Sequence, residues 1–187
     1  MKKIDLNKLR DKAYKTACEH GLHDQELSNE HCLCLVISEL MKAVEADRKR
    51  KYFKGKIMFE RDFNLYSALV EENVRYRNAF EKHIKDTVGD KLADTVIRLL
   101  DLAGLRNLNL NRFALVNVVS KKKTFTENIY SIVKDITNYK YTLEELVNYA
   151  ITQVFVLSDI LDIDLLWHIE HKMKYNELRE DMYGKKY

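Results

Sequence analysis

Apolar side chains recur at spacings of three and four along most of this chain, which is the pattern of helices that bury one face. The first such stripe begins at Leu6, and the second follows Ser28, a residue type that often caps helix N-termini. Glycine commonly lies just beyond a helix C-terminus, so we interpret Gly21 and Gly104 as helix stops. The pattern predicts helices over about residues 6–20, 28–50, 86–104, 125–136, 143–161 and 164–180.

The segment between the second and third of these helices is less regular. Aromatic residues are frequent from Tyr52 to Phe80 but follow no single period. Only residues 69–80 have a helical pattern there, so one further helix is predicted over about that range.

The composition favours an all-helical chain and excludes a sandwich or barrel of many strands. The 187 residues include no Pro and only five Gly, whereas such folds need turn residues at short intervals. Hydrophobic residues make up 46% of the chain, which is enough for a compact core. Since no linker divides the sequence, we expect a single all-α domain over residues 1–187.

The sequence contains no signal for secretion or membrane insertion. The N-terminus lacks an apolar signal segment, and no stretch approaches eighteen uncharged apolar residues. The three cysteines, Cys18, Cys32 and Cys34, are odd in number and lack the spacing of a disulfide framework or a zinc knuckle. We therefore expect a soluble cytoplasmic protein with reduced cysteines and no membrane partner.

The charge balance argues against nucleic acid as the main partner. The 32 Lys and Arg residues against 29 Asp and Glu residues give a net charge of only +3. The Lys-rich runs at 48–56 and 121–123 lack interleaved aromatics, apart from Tyr52 and Phe53. A helical module that binds acidic partners or nucleic acid through residues 48–56 is kept as an alternative function.

Two predicted helices carry an acid beside the apolar stripe. Glu39 lies in Ile-Ser-Glu-Leu-Met-Lys-Ala-Val-Glu-Ala-Asp-Arg, and Asp94 lies in Asp-Lys-Leu-Ala-Asp-Thr-Val-Ile-Arg-Leu-Leu-Asp. These segments resemble the MazG-like all-α nucleoside triphosphate pyrophosphatase superfamily, whose motif is Glu-x-x-Glu on one helix and Glu-x-x-Asp on the next long one. Residues three apart share a helix face, so two such pairs would present four carboxylates to Mg²⁺.

The C-terminal helix carries a second part of the resemblance. Trp-His-Ile-Glu-His-Lys-Met-Lys-Tyr-Asn-Glu-Leu-Arg and the later Gly-Lys-Lys-Tyr are similar to the ending of MazG-like proteins. There Lys-x-x-x-Asn, an Arg and a Gly-Lys contribute to the nucleotide site, which implies nucleotide or phosphate contacts from Lys172, Asn176, Arg179 and Lys185. By spacing alone, the first three share a face with His168, and a solvated helix face is the alternative interpretation.

The resemblance covers residues 28–50, 86–104 and 164–187 and implies a helical bundle, a Mg²⁺ cofactor and a homodimer. It also implies an activity, the cleavage of a nucleoside triphosphate to the monophosphate and pyrophosphate. Glu39 and Asp94 match the first and last metal ligands, but Lys42 and Lys91 occupy the two other ligand positions.

Compared with the four carboxylates of the MazG-like motif, these two lysines change the charge of the site by four units. One unit-charge interaction at about 4 Å is worth roughly 4 kcal/mol at an effective dielectric near 20, so the site should repel a divalent cation. We therefore expect the two ammonium groups to pair with Glu39 and Asp94, and the protein to bind nucleotides with impaired hydrolysis. The alternative is an active Mg²⁺-dependent enzyme whose carboxylate site is rebuilt with neighbouring acids, namely Glu45, Asp47, Asp90 or Asp101.

Overall fold

The computed structural model describes residues 4–65, 67–110, 122–138, 140 and 142–179. Within these residues the chain forms eight α-helices and no β-strand, which confirms the all-α class. The helices are α1 (Leu6–Glu19), α2 (Asn29–Arg48), α3 (Lys56–Asn64), α4 (Glu72–His83), α5 (Val88–Leu105), α6 (Phe125–Thr137), α7 (Leu143–Ile160) and α8 (Leu165–Glu177).

Side-chain caps explain where six of these helices begin. In each case an oxygen of the residue before the helix accepts a hydrogen bond from a backbone N–H in the first turn. At α6 and α7 a Glu also reaches back to the cap residue, which completes a capping box. The six cap residues are Asp5, Ser28, Thr87, Thr124, Thr142 and Asp164.

Helix α5 is the centre of the bundle. It packs against α1, α2, α7 and α8, and its Leu92, Val96 and Leu99 are fully buried. Each such side chain contributes roughly 1.5–3 kcal/mol through burial. Side chains on the α2 and α8 sides of α5 are therefore held by well-packed helices.

The two glycines interpreted as helix stops have different roles. Gly21 follows α1 with a φ of +69°, the left-handed conformation of a C-terminal glycine, so that stop is confirmed. The stop at Gly104 is wrong, because α5 continues to Leu105. A Cβ at residue 104 would lie 2.4 Å from the Cβ of Tyr14, so this glycine allows α1 to approach α5 closely.

A second, aromatic core lies between α3, α4 and α8. Phe59 of α3 is 3% exposed and contacts the rings of Phe63, Tyr76 and Trp167. Helix α3 was not predicted, because its nine residues bury only Phe59 and so repeat no stripe. We call this set the aromatic cluster; its members are Phe53, Phe59, Phe63, Tyr76, Phe80, Trp167, His171 and Tyr175.

The apolar helices of the described chain pack on one another. Helix α7 contacts α5, α6 and α8. None of the eight described helices is by itself long and apolar enough to cross a membrane. Only α7 and α8 taken together have that length and composition, and they bend by 115° at their junction.

Candidate functional site

A cavity of about 440 Å³ lies between α1, α2, α5 and α8. Six Lys or Arg and four Asp or Glu side chains of the described residues line it, an excess of two positive charges. Both acids and both lysines of the MazG-like motif therefore line one cavity. The charged lining residues are Glu39, Lys42, Lys85, Asp86, Lys91, Asp94, Arg98, Asp101, Lys172 and Arg179.

Lys172 of α8 bridges two acids of α5. Its Nζ donates to Asp90 Oδ1 at 2.9 Å and lies 2.8 Å from Asp94 Oδ2. The Lys172 side chain is 8% exposed and the Asp90 side chain is fully buried, so little water competes for these charges. Such a buried pair depends on both partners, because either charge alone would be costly to desolvate.

Lys91 joins the same group of acids from within α5. Its Nζ lies 2.8 Å from Asp86 Oδ1, 3.3 Å from Asp90 Oδ2 and 3.8 Å from Asp94 Oδ2. The expected partner, Asp94, is thus the most distant of the three, and Asp86 is the nearest. We call Asp86, Asp90, Lys91, Asp94 and Lys172 the ion network.

The expected pair on α2 is present. Lys42 Nζ donates to Glu39 Oε1 at 2.8 Å, and the Lys42 side chain is 52% exposed. Glu39 itself is 7% exposed. Its second oxygen, Oε2, is buried and accepts a hydrogen bond from none of the described residues.

The pKa values of the ion network follow from burial and from the mixture of charges. Burial raises the pKa of Asp94 to about 6, with Lys172 opposing the shift and the charges of Asp90 and Glu39 adding to it. Burial alone would lower the pKa of Lys91 and Lys172, but the adjacent carboxylates raise both above the usual range. The network therefore holds two ammonium groups and ionised Asp94 at neutral pH.

The pKa of Asp86 is shifted in the opposite direction from that of Asp94. Its hydrogen bond with Lys91 is the main cause that lowers its pKa, and burial opposes this only in part. Its backbone N–H also donates to Asp90 Oδ2 at 2.9 Å. Asp86 thus fixes the position of Asp90 at the start of α5.

The acids proposed to rebuild a metal site have other partners. Asp90 is held by Lys172, and Asp101 Oδ1 lies 2.7 Å from Nε2 of His23. Glu45 does not line the cavity and instead pairs with Arg48 of its own helix at 3.1 Å and with Lys49, which directly follows the helix, at 3.0 Å. Asp47 accepts a hydrogen bond from Tyr52.

The residues predicted to contact the nucleotide from the C-terminal helix lie in two different environments. Asn176 is half-buried, Arg179 is exposed, and both line the cavity. A wholly solvated face is wrong, because His168 and Lys172 are 3% and 6% exposed. Lys185 lies outside the described residues, and its predicted contact stays a prediction.

The donor set does not fit Mg²⁺. This ion requires nearly octahedral oxygen coordination, but a lysine already binds the carboxylate of Glu39, of Asp90 and of Asp94. Among the residues that the structure describes, no group of three or more His, Cys, Asp or Glu side chains is arranged to hold a metal ion.

The aromatic residues of the Lys-rich run at 48–56 are engaged within the protein. Tyr52 donates to Asp47 at 2.5 Å, and the ring of Phe53 stacks on Trp167 with centroids 4.8 Å apart. Lys56 lies 2.6 Å from Asp164. The stacking on Trp167 covers a ring face of Phe53 on which a nucleotide base could otherwise stack.

Sequence reasoning missed Asp86 and the counter-ion role of Lys172. The four-residue spacing of Asp90 and Asp94 was a usable signal for a shared face of α5, whereas Asp86 precedes that helix. No comparable signal joined Lys172 to α5, because 82 residues separate it from Asp90.

Comparisons with known proteins give no match: no family model, no curated protein and no solved structure matches the chain. The likeness to MazG-like enzymes therefore rests on the quoted motifs alone. What that likeness implies about activity, cofactor and assembly is a proposal for this chain.

Proposed function

We propose that the protein binds a nucleoside triphosphate or a related nucleotide in the cavity between α2, α5 and α8, with hydrolysis impaired. The observation that carries this proposal is the pairing of the motif acids with lysines. Lys42 holds Glu39, and Lys172 holds Asp94, at 2.8 Å in each case. Hydrolysis in MazG-like enzymes depends on a metal ion at these positions, whereas here ammonium groups take the carboxylate lone pairs.

The charge of the cavity supports an anionic ligand. Its lining has two more basic than acidic side chains, and three of the basic ones have substantial exposure: the side chains of Lys42 and Lys85 are 52% and 43% exposed, and Arg179 is exposed. Lysine and arginine are the usual donors to phosphate oxygens. Asn176 adds an amide that can donate to and accept from a sugar or base.

The direct test is titration calorimetry of the full chain with nucleoside triphosphates, in EDTA and in Mg²⁺. We expect binding in EDTA, because side-chain cations rather than a metal neutralise the phosphates. Lys42→Ala should weaken it about tenfold, since hydrogen bonds to charged groups are worth roughly 1.5–3 kcal/mol. Lys49→Ala, directly after α2, is the matched control, because Lys49 does not line the cavity.

Two results would contradict the proposal. Binding that occurs only with Mg²⁺, accompanied by pyrophosphate release, would indicate an active enzyme with a rebuilt carboxylate site. Binding of an acidic protein or nucleic acid with a steep salt dependence, without nucleotide binding, would favour the interaction module instead.

The MazG-like resemblance also leads us to propose a homodimer. Large apolar side chains remain exposed on α3 and in the loop that follows, with Ile57 at 81% and Leu69 at 82%. These side chains are available for contact with a second copy of the chain. Sedimentation of the full chain over a range of concentrations tests this, and a monomer at all concentrations would contradict it.

A further inference from the structure

One oxygen of Glu39 is in an unusual position. Glu39 lines the cavity and is 7% exposed, and Lys42 donates to its Oε1. Its Oε2 is buried and receives no hydrogen bond from the described residues. A buried carboxylate oxygen without a donor is unfavourable, so a ligand gains affinity by supplying a donor once the Glu39 side chain turns this oxygen towards the cavity.

The chemistry of this oxygen restricts what binds to it. An ionised carboxylate only accepts hydrogen bonds, so the ligand group must carry an N–H or O–H. A second cation is disfavoured, because Lys42 already neutralises the same carboxylate at 2.8 Å. A neutral donor, such as a hydroxyl, satisfies the oxygen without adding charge.

The position of Lys42 indicates where this donor lies in the ligand. Lys42 is 52% exposed and donates to Oε1, so the same ammonium can donate to a phosphate oxygen as well, having three donors. The ligand group at Oε2 is then only a few ångströms from that phosphate. In a 5′-nucleotide the sugar hydroxyls are closer to the phosphates than the amino groups of the base.

We propose that Glu39 recognises a sugar hydroxyl of the nucleotide through Oε2, so that the cavity selects ligands by their sugar. This inference rests on the proposed nucleotide binding. It gives Glu39 a recognition role that needs no metal ion, and it separates the two oxygens of one carboxylate by function. Oε1 orients the lysine that contacts phosphate, and Oε2 accepts a hydrogen bond from the sugar.

The test compares the affinities of nucleotides that differ only in the sugar, within one base series at a time and in EDTA throughout. Titration calorimetry of the full chain would use ATP, 2′-deoxy-ATP, 3′-deoxy-ATP and 2′,3′-dideoxy-ATP, and the matching uridine series. The dideoxy compound should bind about tenfold to a hundredfold more weakly than the ribonucleotide, as expected for the loss of a hydrogen bond to a charged group.

The variant Glu39→Gln should reduce this discrimination. If its amide oxygen stays with Lys42, an NH2 group replaces Oε2, and the sugar hydroxyl can then only accept a weaker, neutral hydrogen bond from it. Glu45→Gln is the matched control, since Glu45 is on the same helix but does not line the cavity. If Glu39→Gln does not fold, the analogue series on the unmodified chain decides the question.

The outcomes separate this inference from the function on which it rests. No binding of any of these nucleotides in EDTA would contradict both. Equal binding of all four sugars by the unmodified chain, or undiminished discrimination in Glu39→Gln, would overturn the sugar contact but leave nucleotide binding intact. Discrimination that appears only after Mg²⁺ is added would also overturn it, because Glu39 would then act through a metal.

Discussion

At the scale of single residues, the charge balance of the cavity depends on Lys172. Its ammonium lies 2.9 Å from Asp90 and 2.8 Å from Asp94, and it also lies 5.7 Å from the ring centroid of Phe80. The face of an aromatic ring attracts a cation at this distance. Lys172 therefore neutralises two acids of α5 from α8.

Lys172→Met should be strongly destabilising. It leaves the fully buried Asp90 with the backbone N–H of Asp86 and with one ammonium, that of Lys91 at 3.3 Å, and breaking a buried ion pair typically costs about 3–5 kcal/mol. Urea denaturation at pH 7 measures the change in the free energy of unfolding. Lys12→Met is the control, because Lys12 is exposed and its ion pair with Glu177, at 2.8 Å, lies at the surface; equal effects of the two substitutions would contradict a structural role for the ion network.

Reversing the two motif lysines should create Mg²⁺ binding. Lys42→Glu with Lys91→Glu adds two carboxylates and removes two ammonium groups, which restores the four-acid pattern of the MazG-like motif. Calorimetric titration with Mg²⁺ should then show binding that the unmodified chain lacks. A chain with Lys49→Glu and Lys174→Glu has the same net charge and serves as the control.

If the double reversal binds no Mg²⁺, the alignment of this chain with the MazG-like motif is wrong. The sequence did predict the pair of Glu39 with Lys42, because both residues are on one helix three positions apart. It could not predict that Lys91 lies nearest to Asp86, since that depends on how α5 begins, nor that Lys172 would reach Asp94 from another helix.

At the scale of the helices, local sequence determined most boundaries. Ser28, Thr142 and Asp164 cap the helices that were predicted to begin there. The short helix α3 escaped prediction because tertiary contacts of Phe59, rather than a repeated stripe, stabilise it. Its stability comes from the aromatic cluster, which the sequence pattern does not reveal.

Gly104→Ala tests the close packing of α1 on α5. Alanine is normally favoured over glycine within a helix by about 1 kcal/mol. Here the new Cβ would lie 2.4 Å from the Cβ of Tyr14, so α1 must shift and we expect a net loss of about 1–3 kcal/mol. Thermal and urea denaturation measure this, and a gain in stability would show that α1 packs less closely than described.

At the scale of the whole molecule, two histidines near the aromatic core link stability to pH. Burial lowers the pKa of His168 and of His171 to about 4, well below the usual value of 6.5. Between these values the unfolded chain binds more protons than the folded one, so stability is full above pH 6.5 and falls as the pH drops towards 4. The raised pKa of Asp94 acts in the opposite direction below pH 6.

The variant His171→Phe should reduce this pH dependence. Between pH 4.5 and 6.5 the free energy of unfolding should change less steeply with pH, because the introduced phenylalanine cannot bind a proton. The decrease in slope should correspond to at most one bound proton. Tyr76 keeps its hydrogen bond to the backbone oxygen of residue 171, at 2.9 Å. His31→Gln, on α2 and outside the aromatic cluster, is the control; an unchanged slope in His171→Phe would contradict the assignment.

The ion network also determines how the protein responds to its surroundings. A metal ion at a carboxylate site exchanges with solution, so its occupancy follows the supply of that ion and falls when a chelator is present. Lys172 is covalently part of α8 and does not dissociate from Asp90 and Asp94 while the bundle is folded. The charge that Lys172 brings to the cavity is therefore the same at any magnesium concentration.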